Sequence, residues 1–290
     1  MVGVDFTKKQ LDTLYPYLER NRKGYDSLRT YNLDYTVFPA IKFDPLPLHF
    51  SPKPQDSFPI WEIPTDVELP DNKSELAFYT IPQLASLIKN GKITSMELTK
   101  FFIDRIKKYD GVLQSTITIT EKMALDQAEK MDAELQSGSY RGILHGIPYG
   151  VKDLISVKGY KTTWGAEPYK EQEFDMTATV VKKLQEAGGV LIAKLVSGSL
   201  ARGDVWFGGK TKNPWDVKQG ASGSSAGSGS ATSAGLVPFA LGTETLGSIT
   251  SPSTRNGITG LRPTYGRVSR YGVMSLSWSM DKIGPYGTEC

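Results

Sequence analysis

Sixteen consecutive residues, 220–235, read Gly-Ala-Ser-Gly-Ser-Ser-Ala-Gly-Ser-Gly-Ser-Ala-Thr-Ser-Ala-Gly, with no side chain larger than threonine. Such a run is either a flexible tether or backbone packed so closely that nothing larger fits. Its flanks favour the second. Val190 to Leu195 before it and Leu236 to Leu241 after it are apolar runs typical of buried strands, and its second half carries enough Ala and Ser for a tightly packed helix. Small residues let backbone approach a ligand or another element, and glycine reaches dihedrals that other residues avoid.

Around this run, helices and strands alternate. Thr80 with Gln83 forms a capping box, Leu84, Leu87 and Ile88 give one face, and Gly91 ends the helix. Thr94 with Glu97 opens a second helix that turns Leu98, Phe101, Phe102, Ile106 and Tyr109 inward and runs to Gly111. Ser115 to Thr120 alternates as a strand, Glu121 to Leu135 reads as a third helix, and Gly146 to Val151 is an apolar approach ending at Lys152. Thr177 to Ala187 is predicted helical. Strands separated by helices predict an α/β fold with a mixed sheet covered by helices on both faces.

The first 73 residues differ. Leu11, Leu14, Tyr15 and Leu18 sit at helical spacing, with a second short helix expected after Gly24. Between Phe38 and Pro70 fall eight of the 17 prolines, interleaved with large apolar residues such as Phe43, Phe50, Phe58 and Trp61. Proline at that density forbids regular elements, while the apolar groups act as anchors, so residues 1–73 are predicted to be a helix and an arm lying over a core at 74–290.

Charge narrows the function classes. A formal net charge of +3, with basic runs no longer than the pair Lys107-Lys108, argues against nucleic acid as a partner. Nowhere do 18 apolar residues run together and the first residues lack a signal-peptide core, so no membrane span is expected and the cytoplasm is the predicted location. The only cysteine is Cys290, which excludes internal disulfides and thiolate metal clusters.

Two nucleophile and phosphate templates fail on the small-residue region. Gly223-Ser224-Ser225-Ala226-Gly227 fits the Gly-x-Ser-x-Gly elbow, but that elbow needs a histidine after the serine. His49 and His145 are the only histidines and both precede it, so the Ser-His-Asp order is excluded and His145 reads as structural. Gly208-Gly209-Lys210-Thr211 is no phosphate loop, because five residues separate Gly203 from Gly209 where four are required. A serine without histidine needs another base, and a lysine serves if burial holds it neutral. Lys152, at the end of an apolar strand, is the candidate, although a lone lysine at a strand end is ordinarily a solvated charge.

Four blocks in order decide the matter. Gly146-Ile147-Pro148-Tyr149-Gly150-Val151-Lys152-Asp153, Gly223 to Ser228, Leu241-Gly242-Thr243-Glu244-Thr245-Leu246-Gly247-Ser248-Ile249 and Gly260 to Ser269 closely resemble the amidase signature family, and the likeness extends upstream to about Ser74. The resemblance implies an amidohydrolase whose base falls on Lys152, whose bridging serine, with a cis peptide, falls on Ser224, and whose nucleophile falls on Ser248. It implies oxyanion donors in the backbone N–H groups of Thr245, Leu246, Gly247 and Ser248, a supporting role for Ser225, and neither metal nor cofactor. Asp153 is expected to hold nearby backbone or to act as a cap.

This sequence departs from the family pattern at four points. Leu246 stands in the usual glycine pair, Glu244 replaces an aspartate, Thr250 replaces an arginine, and Ala226 replaces a glycine. The implied activity is hydrolysis of a small-molecule carboxamide through a seryl acyl-enzyme. A second reading is the amidase subunit of a glutamine-dependent tRNA amidotransferase, although Thr163-Trp164-Gly165-Ala166-Glu167-Pro168 looks more like stand-alone amidases. A third is a catalytically silent binding protein; a homodimer is the assembly considered. Because Cys290 comes 42 residues after Ser248 and family members continue well beyond that, the chain is expected to be truncated, with Leu276, Trp278, Met280 and Ile283 packing against a missing part.

Overall fold

The computed structural model describes residues 5–31 and 62–288. The chain divides into two units, Met1–Lys42 and Phe43–Cys290. In the first, α1 (Lys8–Leu28) is one continuous helix opened by a capping box between Thr7 and Gln10. The second short helix expected after Gly24 is absent because α1 runs straight through both Pro16 and Gly24. His49 and most of the proline-rich arm lie outside the described residues; the end of the arm, Ile63, Val67 and Leu69, packs on the core of the second unit.

The capping boxes at Thr80 and Thr94 both form, opening α2 (Ile81–Lys89) and α3 (Ser95–Leu113). α3 outruns Gly111 by two residues before Gln114 takes the left-handed conformation, and Tyr109, expected inward, is exposed on its outer side. After β1 (Thr116–Ile119) come α4 (Glu121–Gln136), the fully buried β2 (Pro148–Lys152), α5 (Thr179–Glu186) and the fully buried β3 (Val190–Leu195). Two small antiparallel pairs follow, β4 (Val205–Trp206) with β5 (Gly209–Lys210) and β6 (Lys212–Asn213) with β7 (Asp216–Gly220).

The second half of the small-residue run is α6 (Ala226–Ser233), buried almost throughout. The next strand, β8, spans Phe239–Glu244, shifted from the expected Leu236 start because Pro238 cannot donate to a ladder. α7 (Thr250–Asn256), β9 (Thr259–Gly260) and β10 (Lys282–Gly287) complete the described chain.

Six strands form one mixed sheet in the order β1-β3-β2-β8-β10-β9. β2 runs parallel to both β3 and β8, while β1, β10 and β9 pair antiparallel. Helices pack on this sheet, α3 and α4 on β3 and α6 on β2, β3, β8 and β10, which makes the fold α/β as expected. Ile283 is buried in β10 as part of the core, not left for a missing segment, whereas Leu276 and Trp278 are exposed. Among the described residues, no helix is long and apolar enough to cross a membrane.

α6 explains the composition of its segment. A Cβ on Gly227 would come within 2.2 Å of both the Ser115 carbonyl oxygen and the Val196 nitrogen. The helix therefore lies directly against the ends of β1 and β3, and its start, at Ser224 and Ser225, is brought to the end of the sheet where Lys152 closes β2.

Candidate active site

Two lysines are fully buried at this end of the sheet, and their surroundings differ. Val151 is level with Lys194 and Lys152 with Leu195, so the two-residue period sends the lysines to opposite faces. Lys194 is paired with the Asp153 carboxylate at 2.6 Å and also donates to the Thr162 hydroxyl and the Lys161 carbonyl, both at 2.5 Å. The other oxygen of Asp153 accepts from the amide and hydroxyl of Thr163 at 2.7 and 2.5 Å, so Asp153 does hold nearby backbone.

Lys152 has no carboxylate within ion-pairing distance among the described residues. Its Nζ is 2.8 Å from Ser224 Oγ, 2.9 Å from Thr243 Oγ1 and 3.5 Å from the Thr243 carbonyl. Burial lowers its pKa from 10.5 to about 7, against the opposing pull of the Asp281 and Glu244 carboxylates. A neutral amine has two N–H groups and one lone pair. With both acceptors of Thr243 on one side, the lone pair is free to face the Ser224 hydroxyl.

The peptide bond between Gly223 and Ser224 is cis. The next residue, Ser225, ties the site together: its hydroxyl donates to the Thr243 carbonyl at 3.0 Å and accepts from the Thr243 amide at 3.1 Å. Its own amide donates to the Ser248 carbonyl at 3.3 Å. Thr243 is thus fixed from the Ser225 side and presents its hydroxyl to Lys152.

Ser248 follows a tight turn in which Gly247 adopts a φ of +76°, a conformation glycine takes without penalty. Glu244, fully buried, braces that turn. One carboxylate oxygen accepts from the amides of Ile249 at 2.7 Å and Thr250 at 2.9 Å, and the other from Arg262 at 3.1 Å. Burial works to raise its pKa, but the amides of Thr250, Ile249 and Gly247 together with the Arg262 guanidinium outweigh it and hold the group below the usual carboxylate range. Gly247 N–H turns toward Glu244, while the amides of Thr245, Leu246 and Ser248 meet no acceptor among the described residues. The Leu246 side chain projects outward and is 76% exposed, so it does not fill the site. Ser248 Oγ makes no hydrogen bond among the described residues, and the structure contains no direct bond from it to Ser224.

Three further residues act on this site and were not legible in the sequence. Thr243 orients Lys152, as above. Tyr286 donates its hydroxyl to the Ser248 carbonyl at 3.1 Å. Asp281 accepts from the Thr245 hydroxyl and from the amides of Leu276 at 2.7 Å and Ser277 at 3.0 Å. Asp281 and Thr243 share a cavity of about 330 Å³ with Tyr271, Met274 and Trp278. A pattern of 3.6 or 2 residues finds burial, not the partner a buried polar group selects, so nothing in the sequence marked them. His145 is structural, as expected: it is buried with Nε2 at 3.0 Å from the Met131 carbonyl.

Asp281 gives a prediction. Its negative charge favours the protonated form of Lys152, so Asp281→Asn should lower that lysine's pKa and move the acidic limb of the kcat/KM profile to lower pH. An acidic limb that stays in place or moves upward would separate Asp281 from the lysine electrostatically.

Known proteins share this arrangement of sequence and fold. The sequence profile of the family described as Amidase matches residues 97–289. Among curated proteins, a glutamyl-tRNA(Gln) amidotransferase subunit from Alcanivorax borkumensis is 41% identical over 213 residues, covering 71% of this chain and 43% of the relative. The protein of the same name from Coxiella burnetii is 44% identical over 209 residues, with the same coverage of 71% and 43%. Among solved structures, native peptide amidase from Stenotrophomonas maltophilia superposes with a TM-score of 0.68 at 35% identity, over 72% of this chain and 45% of that one. An amidase family protein from Bacillus anthracis gives a TM-score of 0.71 at 33% identity, over 74% and 45%. The chain spans less than half the length of the relatives it matches. With the profile covering most of the chain and the fold shared with solved amidases, the chain belongs to the amidase family.

Proposed function

We propose that the chain carries the catalytic machinery for hydrolysing a carboxamide to an acid and ammonia or an amine, with Ser248 as nucleophile, Ser224 as proton bridge and Lys152 as base. The observation that carries this reading is a fully buried lysine, unpaired by any carboxylate and brought down to about 7, set 2.8 Å from a serine hydroxyl. Neutral Lys152 takes the Ser224 proton as Ser224 takes that of Ser248, whose Oγ attacks the carbonyl carbon. The negative oxygen formed is held by the free amides of the turn, drawn from Thr245, Leu246 and Ser248. Collapse breaks the C–N bond, the proton returns through Ser224 to the leaving nitrogen, and water repeats the relay to release the acid. The contact still to be made, Ser248 Oγ to Ser224 Oγ, closes as substrate seats, since catalytic hydrogen bonds are often long before substrate binds.

Turnover of a panel of aliphatic, aryl and amino-acid amides, followed by ammonia or amine release, tests the reading. Absence of acid product from every amide overturns it. Ser224→Ala should lower kcat by roughly 10³-fold or more while leaving Ser248 in place, because the bridge is broken and the nucleophile kept. A fall of less than about tenfold would remove Ser224 from the relay.

The names of the curated relatives favour a second reading, the amidase subunit of a glutamine-dependent tRNA amidotransferase. It calls for glutamine as the amide and for partner subunits. Ammonia release from glutamine alone among the panel, stimulated by such partners, would select it.

A further inference from the structure

Tyr286 is one of the largest fully buried side chains, and it lies in β10 opposite Ala240 of β8. Its ring occupies space that Gly242 leaves open: a Cβ on that glycine would stand 2.5 Å from the ring and 2.8 Å from Ser225 Oγ. Gly242, Ser225 and Tyr286 are therefore fitted to one another at the point where the sheet meets the start of α6. The phenol ends against the nucleophile's backbone, 3.1 Å from the Ser248 carbonyl and 3.2 Å from that of Ile249.

Neither carbonyl depends on the phenol to avoid being orphaned. The Ser248 oxygen also accepts from the Ser225 amide at 3.3 Å, and the Ile249 oxygen from the Ser253 amide at 3.1 Å and its hydroxyl at 2.8 Å. A phenylalanine would fill the same volume without burying a hydroxyl, and a buried hydroxyl is unfavourable unless bonded. What the hydroxyl adds is direction: with Ser225 on one side and Tyr286 on the other, the Ser248 peptide is held by two donors from separate elements. Burial pushes the phenol's pKa well up, so it keeps its proton and remains a donor.

We propose that Tyr286 is a positioning residue for Ser248, its hydroxyl holding the Ser248 and Ile249 carbonyls so that the serine Oγ stays aligned with Ser224 and with the free amides of the turn. The inference rests on the reading of Ser248 as nucleophile.

Tyr286→Phe in the full chain tests it, since the change keeps the ring and leaves both carbonyls satisfied. A slackened nucleophile acts on the reacting geometry and not on substrate affinity, so kcat should fall roughly tenfold with KM within about twofold. The rate at which a fluorophosphonate probe modifies Ser248 should fall in parallel. Tyr149→Phe is the control. That phenol is equally buried, stacks on Phe239 at 5.3 Å and has an unbonded hydroxyl, so its removal should leave both rates at the level of the parent chain. If Tyr286→Phe keeps kcat and probe rate within about twofold of the parent, or if both tyrosine variants slow alike, the positioning role is overturned. Ser248→Ala run beside them separates the two ideas. Turnover surviving in Ser248→Ala sinks the nucleophile assignment and this inference with it, whereas a dead Ser248→Ala beside a full-rate Tyr286→Phe sinks only the role of the tyrosine.

Discussion

Ser248→Ala is expected to reduce amide turnover by a factor on the order of 10⁵ or more, and to abolish labelling by a fluorophosphonate, with the fold unchanged. The fold should survive because Ser248 Oγ holds no hydrogen bond among the described residues; its structural ties run through the carbonyl, which alanine keeps. The alternative nucleophile is Ser225, the middle residue of the Gly-x-Ser-x-Gly match. Its hydroxyl is engaged on both sides by the Thr243 backbone and it is fully buried, which leaves neither a base to activate it nor a path to substrate. Probe attachment mapped by mass spectrometry to Ser225 would reverse the assignment.

Lys152 carries the second large effect. Lys152→Arg should lose on the order of 10³- to 10⁵-fold in kcat/KM, because a guanidinium stays protonated and cannot accept the Ser224 proton. In the parent chain, kcat/KM should climb with pH through a midpoint near 7 as the lysine gives up its proton. A flat profile from about pH 5 to 9, with chemistry shown to be rate-limiting, is incompatible with a lysine base.

Folding offers a readout that needs no substrate. The lysine has a pKa of about 7 when folded against 10.5 as its ordinary value, so between these values the unfolded chain binds the extra proton. Stability from this group therefore rises with pH across that window, and its loss on acidification is complete by about pH 7. Lys152→Met should flatten that part of the stability profile, measured by denaturant unfolding at several pH values. If parent and variant gain stability equally from pH 7 to 9, the lysine is not neutral in the folded protein.

How far the sequence carried depended on what kind of physics set each feature. Capping boxes at Thr80 and Thr94 located α2 and α3 because the cap bonds are local, and the apolar run Val190–Leu195 marked β3 because both its faces are buried. Local rules failed where the environment overrode them: Gly24 did not interrupt α1, Pro238 delayed β8, and Ile283 proved to be core because β10 pairs with β8 along its whole length. At the site, spacing alone left Lys152 indistinguishable from a solvated lysine. Family resemblance singled it out, and the fold supplied the burial that makes it chemically different from Lys194. Thr243, Asp281 and Tyr286 stayed hidden because each matters through a partner brought near by strand order, Tyr286 standing 38 positions along the chain from the serine it touches.

The close approach of α6 to the strand ends bears on how this protein can vary. At Gly227 a single added carbon collides with two main-chain atoms, which cannot swing aside as a side chain would. Drift through the buried part of this stretch, 224–232, is therefore held to small side chains. Its low information content, which resembles that of a disordered spacer, is the imprint of the opposite condition. A library scan would find the buried residues 224–232 of this plain-looking run among the least forgiving of enlargement, and the exposed residues of the β4 to β7 hairpins among the freest to diversify.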